Sequence, residues 1–553
     1  MKKLYTTLVI ALLSIHSFAQ APNWAWAKSA GGIDNDQSNS IAIDAAGNTY
    51  ITGSFASTTI TFGGTTLTNN GSNSTNDVFI AKYDANGNVI WAKSAGGIDY
   101  DDVESIATDL AGNIYIIGGF RSPTITFGTT TLSNIGTANV FVVKFDSNGN
   151  VIWAKSANGT LNSFVWGNGI AIDAAGNASF TGYFGNTNIT FGTTTLTNNS
   201  IGINNDVFIA KYDTNGNVLW AKSAGGTSDD FGRSISVDAS GNSYITGVFS
   251  SPTITFGATT LTNNNSNDTA DIFITKYDTN GNVNWAKSIG GTGDDYSRSI
   301  ATNAVGNSYI TGFFTSPSIT FGTTTLTNNG SADILIAKYD ANGNVVWAKS
   351  SGGNADDYSY SIAIDEIGNA FITGAFLSPI ITFGATTLTN NGNYDIFVTK
   401  YDSNGNVLWA QSTGSIYGDF GGGIATETAG NTYITGAFQS PTITFGATTL
   451  TNNELFDIFI AKLGGTTGIA EMEKGETVLL APNPFTSQLS ISFNEAQKNT
   501  SIKLMNTLGE CIQQLTTSNQ QLILDMSGLA RGMYFVQITD ADKNVVNKKV
   551  IKE

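Results

Sequence analysis

One unit of about 64 residues recurs seven times along this 553-residue chain, and the repetition restricts the folds open to it. Each copy contains a segment like Trp-Ala-Lys-Ser, a segment like Tyr-Ile-Thr-Gly and a segment like Asp-Val-Phe-Ile-Ala-Lys. The repeated tryptophans are Trp26, Trp91, Trp153, Trp220, Trp285, Trp347 and Trp409. Apolar and polar residues alternate in these segments, and no helical period of 3.6 residues appears between them. The pattern predicts an all-β chain.

Each copy predicts four short strands. In the second copy they are expected at 105–109, 114–120, 140–145 and 151–156. Asn-Gly in the connection between the last two supplies the positive φ angles that a tight hairpin needs. A Thr-rich insert at 124–134 is predicted to form a hairpin of its own.

Seven four-stranded units predict a seven-bladed β-propeller over residues 20–465. The first copy begins with its Trp segment, and the last copy ends at 459–463 with no Trp segment after it. The strand around Trp26 is therefore expected to complete the last blade and to close the ring. The repeated tryptophans are expected to pack between blades.

The repeated run A-x-D-x-x-G-N-x-Y-x-T-G, followed by D-x-F-x-A-K-Y-D-x-N-G-N-V-x-W-A-K-S, resembles the bacterial β-propeller repeat called SBBP. The resemblance covers roughly residues 24–464. It implies the propeller fold and carries no shared activity with it.

The N-terminus has the pattern of an export signal. Two lysines precede an apolar stretch at 4–15, and Ser17 and Ala19 form a small-x-small cleavage site before Gln20. The stretch is too short to cross a bilayer, and no later segment reaches the length of a transmembrane helix. Residues 1–19 are thus predicted to be a signal peptide on a chain without a transmembrane segment.

The repeat pattern stops near residue 465, and a linker at 466–477 leads to alternating short strands at 478–553. This tail is expected to be a small β-sandwich in which Cys511 is buried. It resembles the C-terminal sorting domain of type IX secretion cargo. The matching elements are Pro-Asn-Pro at 482–484, Leu-Gly-Glu at 508–510, Asp-Met-Ser-Gly-Leu at 525–529, Gly-Met-Tyr at 532–534 and Lys-Lys-Val-Ile-Lys at 548–552. The resemblance implies recognition by the type IX secretion machinery and, after periplasmic transit, a secreted or outer-membrane surface location.

Composition excludes several kinds of chemistry. The one histidine, His16, lies in the predicted signal peptide, and the one cysteine is Cys511. The mature chain therefore cannot carry Ser-His-Asp or Cys-His catalysis, a His-based zinc site or a Cys-ligated cluster. A net charge of −17 also disfavours nucleic acid and anionic membranes as partners.

Aspartates mark the Gly-Gly-x-Asp loops, which a propeller places on the same face as the Thr-rich inserts. The repeated position holds Asp36, Asp101, Asp230, Asp295, Asp357 and Asp419, with neighbouring carboxylates at Asp102, Asp229, Asp294 and Asp356. One interpretation is a ring of carboxylates at the channel mouth that could hold Ca²⁺ or a cationic ligand. The other is that each aspartate caps its own loop. Near-identical recurrence in six copies favours capping, and no cofactor is otherwise predicted.

The third copy departs from this pattern, because Val165 stands where the other six copies carry the repeated aspartate, and Trp166 follows it in place of an acidic neighbour such as Asp102. Trp166 is therefore predicted to be an exposed aromatic contact for a ligand.

Two classes of function remain open. The first is a non-enzymatic propeller that binds an extracellular glycan, a protein or a surface component through the insert-bearing face. The second is a glycoside hydrolase or lyase that uses aspartates of that face. Glycosidases need two carboxylates in unlike environments, whereas these acids repeat in equivalent positions. Binding is therefore favoured, and no catalytic residue is assigned.

Overall fold

The computed structural model describes residues 21–71, 75–159, 163–185, 187–200, 204–265, 269–427, 430–464, 478–481, 487–493, 500–506, 511–530, 532–540 and 545–552. The predicted signal peptide 1–19, its cleavage site at Ala19 and Gln20, and the linker 466–477 lie outside the described residues. The chain divides into two compact units, Met1–Thr466 and Thr467–Glu553.

The described part of the first unit contains seven four-stranded antiparallel sheets, numbered here 1 to 7 in chain order. Their first strands are Asp36–Ile43, Asp101–Thr108, Val165–Ile172, Asp230–Val237, Asp295–Thr302, Asp357–Ile364 and Asp419–Thr426. Their second strands are Thr49–Phe55, Ile114–Phe120, Ala178–Gly185, Ser243–Phe249, Ser308–Phe314, Ala370–Phe376 and Thr432–Phe438. Their third strands are Asp77–Tyr83, Asn139–Phe145, Asn205–Tyr212, Asp271–Tyr277, Asp333–Tyr339, Asp395–Tyr401 and Asp457–Leu463. Their fourth strands are Val89–Ala95, Val151–Ser156, Val218–Ala224, Val283–Ile289, Val345–Ser351, Val407–Thr413 and, in sheet 7, Trp24–Ala30.

Sheet 7 joins the two ends of the repeat region. Trp24–Ala30 pairs antiparallel with Asp457–Leu463, with Ser29 opposite Phe459, so the predicted pairing of the N-terminal strand is confirmed. The first strand of every sheet also packs against the first strand of the next, and Asp419–Thr426 packs against Asp36–Ile43. The first strands therefore surround one axis, with the apolar core between successive sheets.

The first strands begin earlier than the sequence pattern predicts. In sheet 2 the strand is Asp101–Thr108 rather than 105–109. A β-bulge between Val103 and Ser105 breaks the alternation of apolar and polar residues there, which hides the first half of the strand. Gly118 lies opposite the bulge, where a Cβ would come within 2.1 Å of the Asp102 carbonyl oxygen. The repeated aspartate is thus a strand residue, not a loop residue.

The Thr-rich inserts form two-stranded hairpins, as predicted for 124–134. Their strand pairs are Thr59–Phe62 with Thr65–Thr68, Thr124–Phe127 with Thr130–Ser133, Asn188–Phe191 with Thr194–Thr197, Thr253–Phe256 with Thr259–Thr262, Ser318–Phe321 with Thr324–Thr327, Ile380–Phe383 with Thr386–Thr389 and Thr442–Phe445 with Thr448–Thr451. In the third copy Asn158–Gly159 adds a short strand to the hairpin. Each hairpin buries its inward residues, such as Ile125, Phe127 and Leu132.

The repeated tryptophans link successive sheets, which confirms their predicted packing between blades. Trp91 of sheet 1 donates its Nε1 hydrogen to the carbonyl oxygen of Ser147 in sheet 2, at 3.3 Å. The ammonium of Lys82 donates to the same carbonyl at 3.0 Å and lies 3.9 Å from the Asp44 carboxylate. Trp26 makes the equivalent bond from sheet 7 to Ala85 of sheet 1, at 3.2 Å.

The second unit contains two sheets among its described residues. Its strands are Val478–Ala481, Gln488–Phe493 and Gln521–Asp525 in one sheet, and Cys511–Thr517, Thr500–Met505, Gly532–Thr539 and Val545–Lys552 in the other. Residues of both sheets, including Leu489, Ile502 and Val536, share one buried cluster. Cys511 is exposed because its strand is the outer one of its sheet, so the prediction that it is buried is wrong. Within the described residues no helix is long and apolar enough to cross a membrane.

Candidate binding site in the central channel

The repeated aspartates lie at the start of the first strands and are fully buried. Asp101, with no exposed surface, accepts hydrogen bonds from the Gly97 amide at 2.8 Å and the Ser122 hydroxyl at 2.8 Å. Asp36, Asp230, Asp295, Asp357 and Asp419 make the equivalent bonds to a loop amide and a serine. These are the contacts expected of a residue that caps its own loop. Each carboxylate ties the loop before its strand to the base of the insert.

A second buried carboxylate faces each of these six aspartates across the junction between sheets. Asp77, at the start of a third strand, interacts electrostatically with Asp101 of the next sheet. Its Oδ2 accepts two bonds from Asn70, while its buried Oδ1 has no hydrogen-bond partner among the described residues. The Asp77 carboxylate lies beside Gly96, where a Cβ would come within 2.0 Å of its Oδ1. The other pairs are Asp206 with Asp230, Asp271 with Asp295, Asp333 with Asp357, Asp395 with Asp419 and Asp457 with Asp36.

One junction lacks both aspartates and the glycine beside them. Between sheets 2 and 3, Asn139 replaces the first aspartate, Val165 replaces the second, and Asn158 replaces the glycine. Joint replacement at positions so far apart in sequence indicates that the two aspartates act as a pair at the other six junctions.

The aspartate pairs predict that the propeller is more stable at acidic than at neutral pH. Burial raises the pKa of Asp101, Asp206 and Asp230 to about 7, and that of Asp271 and Asp295 to about 6. An unfolded aspartate has a pKa near 4, so the folded state holds more protons between these values. The free energy of unfolding should therefore be largest near pH 4 to 5 and fall as the pH rises through 6 to 7. Thermal melts from pH 4 to 8 should show Tm decreasing by several degrees.

The junction between sheets 2 and 3 supplies a matched variant for this prediction. The double substitution Asp77→Asn, Asp101→Val copies the two aspartate replacements of that junction and should reduce the loss of Tm between pH 5 and pH 8. Turn aspartates such as Asp84 act in the opposite direction, because hydrogen bonds from the Asn88 side chain and backbone lower the pKa of that carboxyl. Their contribution is lost below pH 4. A Tm that rises from pH 5 to pH 8 would contradict the role assigned to the pairs.

The neighbouring aspartates are half-buried, and the fold does not gather them into one site. Asp102 accepts a bond from the Asn76 side chain at 2.8 Å, and Asp229 accepts one from the Asn205 amide at 2.9 Å. Asp294 accepts the Ala270 amide at 2.9 Å, and Asp356 interacts with the Tyr358 hydroxyl. Each thus bonds at its own junction. In the described part of the chain no three acidic, histidine or cysteine side chains are grouped to hold a metal ion.

The second residue of each first strand distinguishes one part of the channel mouth from the other. These residues are Gln37, Asp102, Trp166, Phe231, Tyr296, Tyr358 and Phe420. In sheets 3 to 7 these residues are aromatic and contact other aromatic side chains. We call the whole set of contacting side chains the aromatic arc. The arc comprises Phe164, Trp166, Tyr183, Phe231, Tyr296, Phe313, Tyr358, Tyr394, Phe420 and Phe456.

Trp166 is a member of this arc and is only 7% exposed, so the prediction of an exposed aromatic contact is wrong. Its ring stacks on Phe164 at 5.6 Å and covers Gly119 of the preceding sheet. Its Nε1 donates to the Glu104 carboxylate at 3.1 Å. A tryptophan is accommodated there because the neighbouring glycine leaves room for it.

Sheets 1 and 2 carry no aromatic at this position and form a polar notch instead. A cavity of about 540 Å³ is lined there by Asn35, Gln37, Asn39, Ser54, Ala56, Asn76, Tyr100, Asp102 and Glu104. A second cavity, of about 380 Å³, lies beside it, where Gln37 and Asn39 face Tyr360 and Phe420. The mouth is therefore polar on one side and aromatic on the other.

The fourth residue of each first strand lies two positions farther along the strand than the arc residue and was not among the predicted site residues. Glu104, Arg233, Arg298 and Tyr360 are the charged or phenolic members of this set. Burial raises the pKa of the Glu104 carboxyl, and it raises the pKa of Tyr360 to about 12. The signal that could have found them is variation itself, since these positions differ among copies that otherwise match closely.

Comparison with known proteins agrees with this architecture. Residues 480–553 match the family model of the secretion system C-terminal sorting domain, and residues 219–248 match that of a β-propeller repeat, SBBP. An uncharacterized WD repeat-containing protein of Acanthamoeba polyphaga mimivirus is 27% identical over 454 residues, covering 68% of this chain and 32% of that protein. The regulatory protein FlaEY of Caulobacter vibrioides is 24% identical over 289 residues, covering 49% of this chain and 30% of that protein. The chain thus spans about a third of the length of these relatives.

Among solved structures, this chain is similar to PorZ, a bacterial surface component of the type-IX secretion system of Porphyromonas gingivalis. The alignment covers 93% of this chain and 81% of PorZ, at 10% identity and a TM-score of 0.24. A TM-score this low gives no basis for transferring a property of PorZ. The family matches thus identify one β-propeller repeat of the SBBP type at 219–248 and a type IX secretion C-terminal sorting domain at 480–553, and this tail points to a location outside the cell or on the outer-membrane surface.

Proposed function

We propose that this protein is a non-enzymatic binding protein displayed on the cell surface or released from it. Its domains are the signal peptide 1–19, a closed seven-bladed propeller at 20–465, the linker 466–477 and a β-sandwich sorting domain at 478–553. The circuit of packed first strands and the pairing of Trp24–Ala30 with Asp457–Leu463 support seven blades. The cluster shared by the two sheets of the tail supports the sandwich.

The ligand binds at the channel mouth on the insert-bearing face. The observation that carries this proposal is the loss of sevenfold repetition at the mouth, where a polar notch faces an aromatic arc. A ring with only a structural role would need only equivalent residues in every copy, and the loops and turns of this propeller do have equivalent residues. Aromatic faces and amide side chains together suit a saccharide, which stacks its apolar face and hydrogen-bonds through its hydroxyls.

A binding screen with the purified chain tests the proposal directly. Glycan arrays and surface extracts should yield a ligand whose affinity falls by about tenfold in a Phe420→Ala variant, because the arc loses a half-buried stacking face. Leu219→Ala is the matched control, since Leu219 is exposed on a fourth strand away from the channel. Thermal melts check that both variants fold. Equal loss in both variants, or none in Phe420→Ala, would reject the mouth as the site.

Asp102 and Glu104 support a second candidate, a carbohydrate-active enzyme. Both line the 540 Å³ cavity, and burial raises the pKa of the Glu104 carboxyl, as in a general acid. This pair differs from the repeated aspartates, because the other sheets carry no carboxylate at either of these two strand positions. Release of reducing ends or unsaturated sugars from a bound glycan, abolished by Glu104→Gln, would establish the enzyme in place of the binding protein.

A further inference from the structure

The fourth residue of each first strand varies within a closely repeated frame. The seven residues are Asn39, Glu104, Asn168, Arg233, Arg298, Tyr360 and Gly422, whereas the residue that follows is Ser or Gly in every copy. Small neighbours give these side chains space around the axis. Glu104 interacts electrostatically with both arginines from sheet 2, so side chains of sheets 2, 4 and 5 share one space.

Two arginines lie side by side in this space. Arg233 and Arg298 hold the same strand position in sheets 4 and 5, and both are half-buried. The Arg233 guanidinium lies 4.8 Å from the centre of the Phe231 ring, and the Arg298 guanidinium lies 5.6 Å from the Tyr296 ring and 5.5 Å from the Phe313 ring. A guanidinium held over aromatic rings in this way is restrained in position while the donors on its rim can still bind.

Within the described residues the charges of these arginines are only partly balanced. Among the described residues every ion pair involves a lysine, and the buried Nε atoms of both arginines have no hydrogen-bond acceptor. Burial, together with the charge of Arg298, lowers the pKa of Arg233. Both arginines interact electrostatically with the Glu104 carboxylate. The hydrogen bond that this carboxylate accepts from Trp166 directs it toward sheet 3. Two cations thus face one carboxyl group, although buried charges are ordinarily paired.

We propose that Arg233 and Arg298 form an anion subsite that binds the carboxylate of an acidic saccharide, whose sugar rings stack on the aromatic arc. A planar carboxylate matches the paired donors of a guanidinium, and the phenyl and phenol rings beside both arginines suit sugar faces. The subsite also gives a strongly acidic protein a local cationic centre. This inference rests on the proposed binding at the channel mouth and names the class of ligand.

The test uses the full chain and two uronate polymers, oligomers of polygalacturonate and of alginate. At least one should bind, and at least about tenfold more tightly than its methyl ester, because the ester keeps the sugar and removes the charge. Arg233→Gln and Arg298→Gln should each weaken binding of the acid form by about tenfold or more and leave the ester unaffected. Glu104→Gln should act in the opposite direction and tighten binding, since it removes the competing carboxyl.

The double variant Lys222→Gln, Lys287→Gln is the matched control. It removes two positive charges from exposed positions on fourth strands, and it should change neither affinity. Equal affinity for acid and ester, unchanged affinity in both arginine variants, or equally tight binding of polyglutamate would overturn the inference. So would failure of both uronates to bind. If neutral glycans or surface extracts still bind in the screen, the proposed function stands without this subsite.

Discussion

Deletion of residues 21–30 is expected to lower the Tm of the propeller by at least about 10 °C. The deletion removes Trp24–Ala30, the fourth strand of sheet 7, and leaves Asp457–Leu463 unpaired on one side. It also removes the Trp26 bond to Ala85, which links sheet 7 to sheet 1. The ring would then have no strand joining its two chain ends. Differential scanning calorimetry of the deleted and intact chains measures the effect.

A peptide of residues 21–31, added in excess, is the control for this deletion. It should restore part of the lost Tm, because it can pair with Asp457–Leu463 as the missing strand. A scrambled peptide of the same composition should not. An unchanged Tm after the deletion would mean that the N-terminal strand does not close the ring.

The repeat made the fold predictable, since turn chemistry and alternation act over a few residues. Asp84 receives bonds from the Asn86 and Asn88 amides, and Gly87 has a φ of 79°, so the hairpin is encoded within five residues. Closure could also be inferred, from the order of the repeated segments. The start of the first strands could not, because a bulge interrupts their alternation in every sheet.

The site was much less predictable, because its contacts join residues far apart in sequence. The partner of Asp101 is Asp77, in another sheet, and nothing local distinguishes a buried pair from a carboxylate at the mouth. Trp166 is an exception to the repeated sequence pattern, yet it is buried against Phe164 and Gly119. Arg233 and Arg298 were visible as variable residues. Their meaning depends on the packed first strands, which bring them near Glu104.

Deletion of residues 467–553 is expected to retain the protein in the periplasm. The deleted segment is a compact unit by itself and contains the whole match to the sorting domain family. The propeller should keep its Tm, since its core clusters, as far as the residues are described, contain no tail residue. Fractionation of cells that express the truncated chain, with immunodetection in periplasm, outer membrane and medium, measures the change. Normal amounts of truncated protein outside the cell would mean that the tail is not the sorting signal.

A single substitution, Lys552→Met, tests whether export requires the folded tail and not only its presence. The Lys552 ammonium is buried and donates to the carbonyl oxygens of Met526, Ser527 and Leu529 at 2.6, 3.0 and 2.7 Å. Methionine keeps the apolar stem but leaves the buried Met526 carbonyl and two partly exposed carbonyls without this donor, which should destabilise the tail by at least about 1–3 kcal/mol. Export should fall sharply, and Lys552→Arg should retain part of it. If export does not require the folded tail, export of Lys552→Met will equal that of the unaltered chain.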